Sequence, residues 1–289
     1  MGKESFNWQP EILSGMSTQA IVDKLRELIP GFNLDSFLNK AQKYLSCEDL
    51  SEDEYYPRAT FSDTDEDFIW MACEELWKRF IPDRPSVEYV AEQLDGLVEK
   101  TDKAADRERW KEVLLRSQEA LDLICRHTIE EISGGRRLRR DFYDKLCEAT
   151  IYDFDSLLDV LVRNLMEHEK YERVIGIVEI LADAAADDSL LDCKAESLFA
   201  LGRKADSERL YRRIIDRNPD DPRYLLHAGD CHVIYGEKDF ARARDCYLKA
   251  LKIVQKHIEE PEAKDDLHEV YKRLISVASA SGRSAEAMR

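Results

Sequence analysis

Glycine and proline are scarce in this chain of 289 residues, at 11 and 8. So few backbone breakers argue against a many-turned sheet protein and favour long helices. No apolar run reaches the ~18 residues of a membrane-crossing helix. The opening MGKESFNWQP lacks the apolar centre of a secretion signal, and Phe6 stands where myristoylation needs Ser or Thr. The seven cysteines never form a Cys-x-x-Cys pair. An odd, scattered set reads as reduced, buried thiols in a cytoplasmic protein.

Enzyme signatures are missing as well. There is no P-loop, GxGxxG, GxSxG or HExxH, and HEVYK from His268 lacks the second His. The six histidines sit apart with no nucleophile–base spacing. The expectation is a non-catalytic protein with no cofactor and no metal.

What the chain has is charge and periodicity. Charged residues make up 36% and hydrophobic residues 44%, with net charge −17. That composition suits a buried core under an acidic surface, which repels nucleic acid and anionic membrane and suits basic partners. Residues 1–133 read as a helical region of unassigned type. Ser17-Thr18 can cap QAIVDKLRELI, and Asn33 or Asp35 can begin SFLNKAQKYL. The acidic CEDLSEDEYYPRATFSDTDED reads as a loop. Phe68, Ile69, Ala72, Leu76, Trp77 and Phe80 form a helical face, stopped by Pro82 and Pro85, and Ser86 caps the next helix. A long periodic segment runs over 105–133, and Gly134-Gly135 reads as its cap and the main boundary.

From Ile151 the chain resembles itself. LLDVLVRNLMEHEKYERVIGIVEIL, LLDCKAESLFALGRKADSERLYRRII and LLHAGDCHVIYGEKDFARARDCYLKAL align Leu158, Leu191 and Leu225, spaced by 33 and 34 residues. Each unit holds two amphipathic helices around a short turn. Gly229 and Ala243 are the small residues of the third pair, Gly236 marks its turn, and Phe240, Tyr247 and Ala250 follow on the second helix. The second unit carries Gly202, Tyr211 and RNPDDP.

These residues resemble the tetratricopeptide repeat family, whose period is about 34 residues. The resemblance covers about residues 152–289 and implies an all-α fold, a solenoid of helical hairpins over 140–289. Val162 and Val174 depart from the small residues usual in the first unit. The third has two extra turn residues and lacks the closing Pro. After EEPEAKDD the chain offers a further first helix, a Gly282 turn and the start of a second helix.

Four groups bear on function. His227, Cys231, His232 and Cys246 lie within twenty residues but lack the paired cysteines of a zinc site, so packing is the simpler reading. Asp63, Asp65, Asp67 and Glu74 fit a calcium loop except that Phe68 stands at the glycine position. A bulky residue there costs about 1–2 kcal/mol, and acids in a helix's first turn explain the same letters. Arg136, Arg137, Arg139 and Arg140 could form a second interaction patch, or pair with Glu130, Glu131 and Asp141.

The fourth group is the groove that the resemblance implies along the first helices. By position it takes Asp159, Arg163 and Met166; Asp192, Glu196 and Phe199; Leu226, Asp230 and Val233; and Lys272. This mixed set departs from the Lys/Asn/Arg clamp for a C-terminal carboxylate. It implies instead a protein or peptide partner with basic and apolar residues. An adaptor or scaffold is the favoured function. The alternative is a regulatory protein whose N-terminal helices bind nucleic acid or a ligand, or act catalytically, with the repeats as sensor.

Overall fold

The computed structural model describes residues 8–58, 60–133, 135–185, 188–236, 238–258 and 263–282. Over these residues the protein is all-α, with fifteen α-helices and one two-stranded hairpin. None of these helices is long and apolar enough to cross a membrane. Contacts divide the chain into two compact units. One holds the residues up to Glu108 and Asp122–Phe154, the other Arg109–Leu121 and the chain from Asp155.

The first unit contains α1 (Pro10–Gly15), α2 (Thr18–Leu28), α3 (Leu34–Ala41), α4 (Cys47–Glu54), α5 (Asp63–Phe80), α6 (Val87–Ala105) and α8 (Arg140–Ala149). The last part of α7 (Trp110–Thr128) also groups with it. Ser17, Asn33 and Ser86 cap α2, α3 and α6, each accepting the backbone N–H three residues on, at 3.1, 3.0 and 3.3 Å. The core gathers Phe37, Phe68 and Trp77, all at most 1% exposed.

The acidic stretch expected as a loop contains α4. Ser46 caps it, and Cys47, Leu50 and Ser51 turn inward. Three inward residues among five acids are too weak a periodic signal to recognise. Ser62 caps α5 in turn, accepting the Asp65 N–H at 3.3 Å. Asp63 and Asp65 therefore lie in the first helical turn, where the helix dipole favours them, and Phe68 is fully buried. A calcium loop would need this segment open; it is helix.

The expected helix over 105–133 ends at Thr128. Ile129–Ile132 leaves as β1 and pairs antiparallel with β2 (Gly135–Leu138), setting Glu130 opposite Arg137 and Glu131 opposite Arg136. Opposite charges facing across the strands and β-branched Thr128, Ile129 and Ile132 favour this over continued helix. Gly135, at φ +143°, thus belongs to the hairpin, and Gly134 lies outside the described residues. Beyond it α8 packs on α6, and Tyr143 meets Phe154 edge-on at 5.3 Å. The first unit therefore runs past the paired glycines.

Arg79 ties α5 to the α1–α2 connection. Its guanidinium donates to the carbonyls of Leu13, Ser14 and Met16 at 3.2, 3.3 and 2.9 Å, and pairs with Glu75 at 2.7 Å. Arg79→Met keeps the stem but strands those carbonyls. It should cost the first unit about 2–3 kcal/mol in urea unfolding. A loss under about 0.5 kcal/mol would mean water replaces the guanidinium.

The second unit contains α9 (Phe154–Glu167), α10 (Tyr171–Ala185), α11 (Asp188–Ala200), α12 (Lys204–Arg217), α13 (Arg223–Ile234), α14 (Phe240–Lys256) and α15 (Ala263–Ala280). α11 packs on α10, α12 and α13; α13 packs also on α12 and α14, and α14 on α15. Gly202, at φ +78°, ends α11. Its N–H reaches the Phe199 carbonyl at 2.9 Å, and the Arg203 N–H reaches that of Leu198 at 2.8 Å. Between α13 and α14 the approach is close at Gly229. A Cβ there would overlap the Tyr247 ring, itself 1% exposed. Ala243 and Ala250, fully buried on α14, continue this contact.

Candidate functional site

The charged candidates Asp159, Arg163, Asp192, Glu196 and Asp230 form a polar seam along α9, α11 and α13 that reaches α15. On α9, Asp159 pairs with Arg163 one turn on at 2.7 Å, and accepts the Ser189 hydroxyl of α11 at 2.7 Å. Burial pushes the Asp159 carboxyl up, but the Arg163 and Ser189 hydrogen bonds outweigh it and hold the group below its ordinary value. On α11, Asp192 accepts Nδ1–H of His227, from α13, at 2.6 Å. That hydrogen bond raises the imidazole above its usual pKa.

One turn along α11, Glu196 accepts the Tyr235 hydroxyl at 3.2 Å, and Tyr235 lies 3.3 Å from the Tyr171 hydroxyl. Burial, then the nearby Asp192 charge, pushes Glu196 up. On α13, Asp230 accepts the Tyr247 hydroxyl at 2.6 Å and Nε of Arg273, on α15, at 3.0 and 3.1 Å. Arg273 also holds Glu269 at 2.6 Å. Asp159 with Ser189, Asp192 with His227 and Asp230 with Arg273 each join one odd-numbered helix to the next, so acids at helical spacing become bonds between helices.

Burial sorts the expected groove residues. Asp192 and Phe199 are 2% exposed, Leu226 5% and Met166 9%, so these side chains lie inside the packing. Phe199 meets the His232 ring edge-on at 5.0 Å. Asp159, Arg163, Glu196, Asp230 and Val233 are half-buried, and Lys272 is exposed and pairs with Glu269 at 3.4 Å. The charge that meets Asp230 comes from Arg273, next to Lys272. The linker before α15 hides the register, but buried Val270 and Val277 put Arg273 on their side of the helix. Tyr171, Ser189, His227 and Tyr235 also join the seam without having been singled out for it. Large apolar surface on α13 comes from Ile234, 64% exposed.

Of the His/Cys group only His227 joins this seam. Cys231 sits 3.4 Å from the Tyr211 hydroxyl, and burial raises its thiol pKa. Cys246 packs half-buried against the same cluster. Among the described residues no group of three His, Cys, Asp or Glu is placed to hold a metal ion. In the first unit Arg137 pairs with Glu130 at 2.7 Å and Arg140 with Asp144 at 2.8 Å. Arg139 lies over the Phe142 ring, and Arg136 is exposed. With Leu138 and Asp141, Arg137, Arg139 and Arg140 line an open cleft of about 490 Å³.

The class that fold and site define is an all-α protein with a charged inter-helix seam. Compared with known proteins, the chain matches no family model, no curated sequence and no solved structure.

Proposed function

We propose that the second unit is a tetratricopeptide-like array serving a cytoplasmic, non-catalytic adaptor, and that it binds a protein partner along its first helices. The pairs are α9–α10, α11–α12 and α13–α14, and α15 opens another. The observation that carries this reading is the seam. α9, α11 and α13 begin at Phe154, Asp188 and Arg223, and the equivalent carboxylates Asp159 and Asp192 bond α9 to α11 and α11 to α13. Stacked hairpins of this kind present their first helices as one extended surface. Glu196, Asp230 and the partly open Arg163 give that surface its charge; Val233 and Ile234 add apolar contact. Net charge −17 favours a partner with basic residues.

Affinity capture from native lysate, read by mass spectrometry, tests this. Wild type and Arg137→Glu should retain the same partner, whereas Glu196→Lys should lose it, and retention should weaken as salt rises. Capture lost in Arg137→Glu but kept in Glu196→Lys would move recognition to the hairpin and contradict the proposal.

A further inference from the structure

We infer that the turn of α11 carrying Asp192 and Glu196 is a subsite for a basic side chain of the partner, an arginine guanidinium or a lysine ammonium; this rests on the adaptor reading above. At its two ends the seam supplies its own cations, Arg163 for Asp159 and Arg273 for Asp230. The middle differs. Asp192 and Glu196 stand one turn apart, and among the described residues neither pairs with a lysine or arginine. Among the described residues their one hydrogen-bonded base is His227, through Asp192, while Arg163, already paired with Asp159, acts on both only at longer range.

An independent observation points to a donor from outside. Asp192 is 2% exposed, and its Oδ1 has no hydrogen-bond partner while Oδ2 is held by His227. A buried carboxylate oxygen without a donor is costly, and a cationic donor repays most. Glu196, on the same side of α11, is pushed toward its neutral form by burial and by Asp192; a paired cation would favour its charged form again. The Tyr235 hydroxyl reaches Glu196, and the Tyr235 ring meets the Tyr171 ring edge-on with centroids 6.1 Å apart, so an aromatic surface flanks the carboxylate. Oδ1 is closed as the side chains stand, so a ligand seats by displacing a neighbour. The imidazole of His227, 34% exposed, is the group placed to move.

The test passes two pools of short random peptides over the immobilised full chain. One pool carries a fixed central arginine, the other its neutral isostere citrulline. The arginine pool should be retained about ten-fold better, and the preference should vanish in Glu196→Gln, which keeps an acceptor for Tyr235. A selected arginine peptide should also lower the titration midpoint of His227 followed by NMR in the wild type, a readout free of any folding defect in the variant. Equal retention of both pools would overturn the subsite and leave the array reading standing. Retention of neither would overturn both. A preference that survives in Glu196→Gln, with the His227 midpoint unmoved, would place the cation elsewhere and overturn the subsite.

Discussion

Gly229→Ala is expected to destabilise the second unit by about 1–3 kcal/mol, although alanine is the better helix former by about 1 kcal/mol. On an open helix face the exchange would stabilise. Here the new methyl enters the space of the Tyr247 ring, which is fully buried and tied through its hydroxyl to Asp230 at 2.6 Å. The ring cannot swing aside without breaking that bond, and α14 cannot retreat without opening the contacts of Ala243 and Ala250. Urea unfolding of wild type, Gly229→Ala, Tyr247→Leu and the double variant reads the coupling directly. The methyl should cost far less once the ring is gone. A stabilising Gly229→Ala would mean that α13 and α14 do not approach as closely as described.

The second large effect concerns Asp192. His227→Leu leaves a carboxylate at 2% exposure with no donor on either oxygen. Breaking a buried pair in this one-sided way typically costs about 3–5 kcal/mol. His227 is about a third exposed, so about 2–3 kcal/mol is expected once solvent screening is allowed for. The double variant Asp192→Leu/His227→Leu should recover most of it, because removing both partners leaves no stranded charge. A double variant as unstable as the single one would show that packing, not the pair, sets the loss.

The same pair dictates a pH response. The Asp192 hydrogen bond raises the His227 pKa, with Asp230 adding and Arg163 opposing. The stabilisation from protonated His227 is therefore fully present below the ordinary value of 6.5, and is lost as pH rises through the raised folded value. Glu196, also raised, gives the same sign in a lower window that opens at its ordinary 4.5. Melting temperature should thus fall as pH climbs above 6.5, and Asp192→Asn should flatten that fall. A wild type whose stability rises through this window would contradict the assignment.

Much of this architecture is legible in the sequence because it rests on local chemistry. Ser17, Asn33 and Ser86 announce helix starts by their own side chains. The spacing of Leu158, Leu191 and Leu225 falls on α9, α11 and α13, where the first and last are buried and Leu191 is half-buried. What escaped depends on partners far along the chain. Nothing local shows that α4 buries Cys47 and Leu50; the pairing of Glu130 and Glu131 with the arginines was legible, but not the hairpin that makes it. The resemblance set Asp192, Phe199 and Leu226 along a partner-facing groove on α11 and α13, but could not show how deeply neighbouring helices cover them. One residue of register, Arg273 in place of Lys272, was hidden by the linker before α15.

Hydrogen–deuterium exchange of the full chain with its captured partner tests the adaptor reading most directly. Protection centred on α11 and α13, reaching toward α9 and lost in Glu196→Lys, is the predicted result. Protection confined to the first unit, whether on α1–α6 or on the hairpin of β1 and β2, would contradict it.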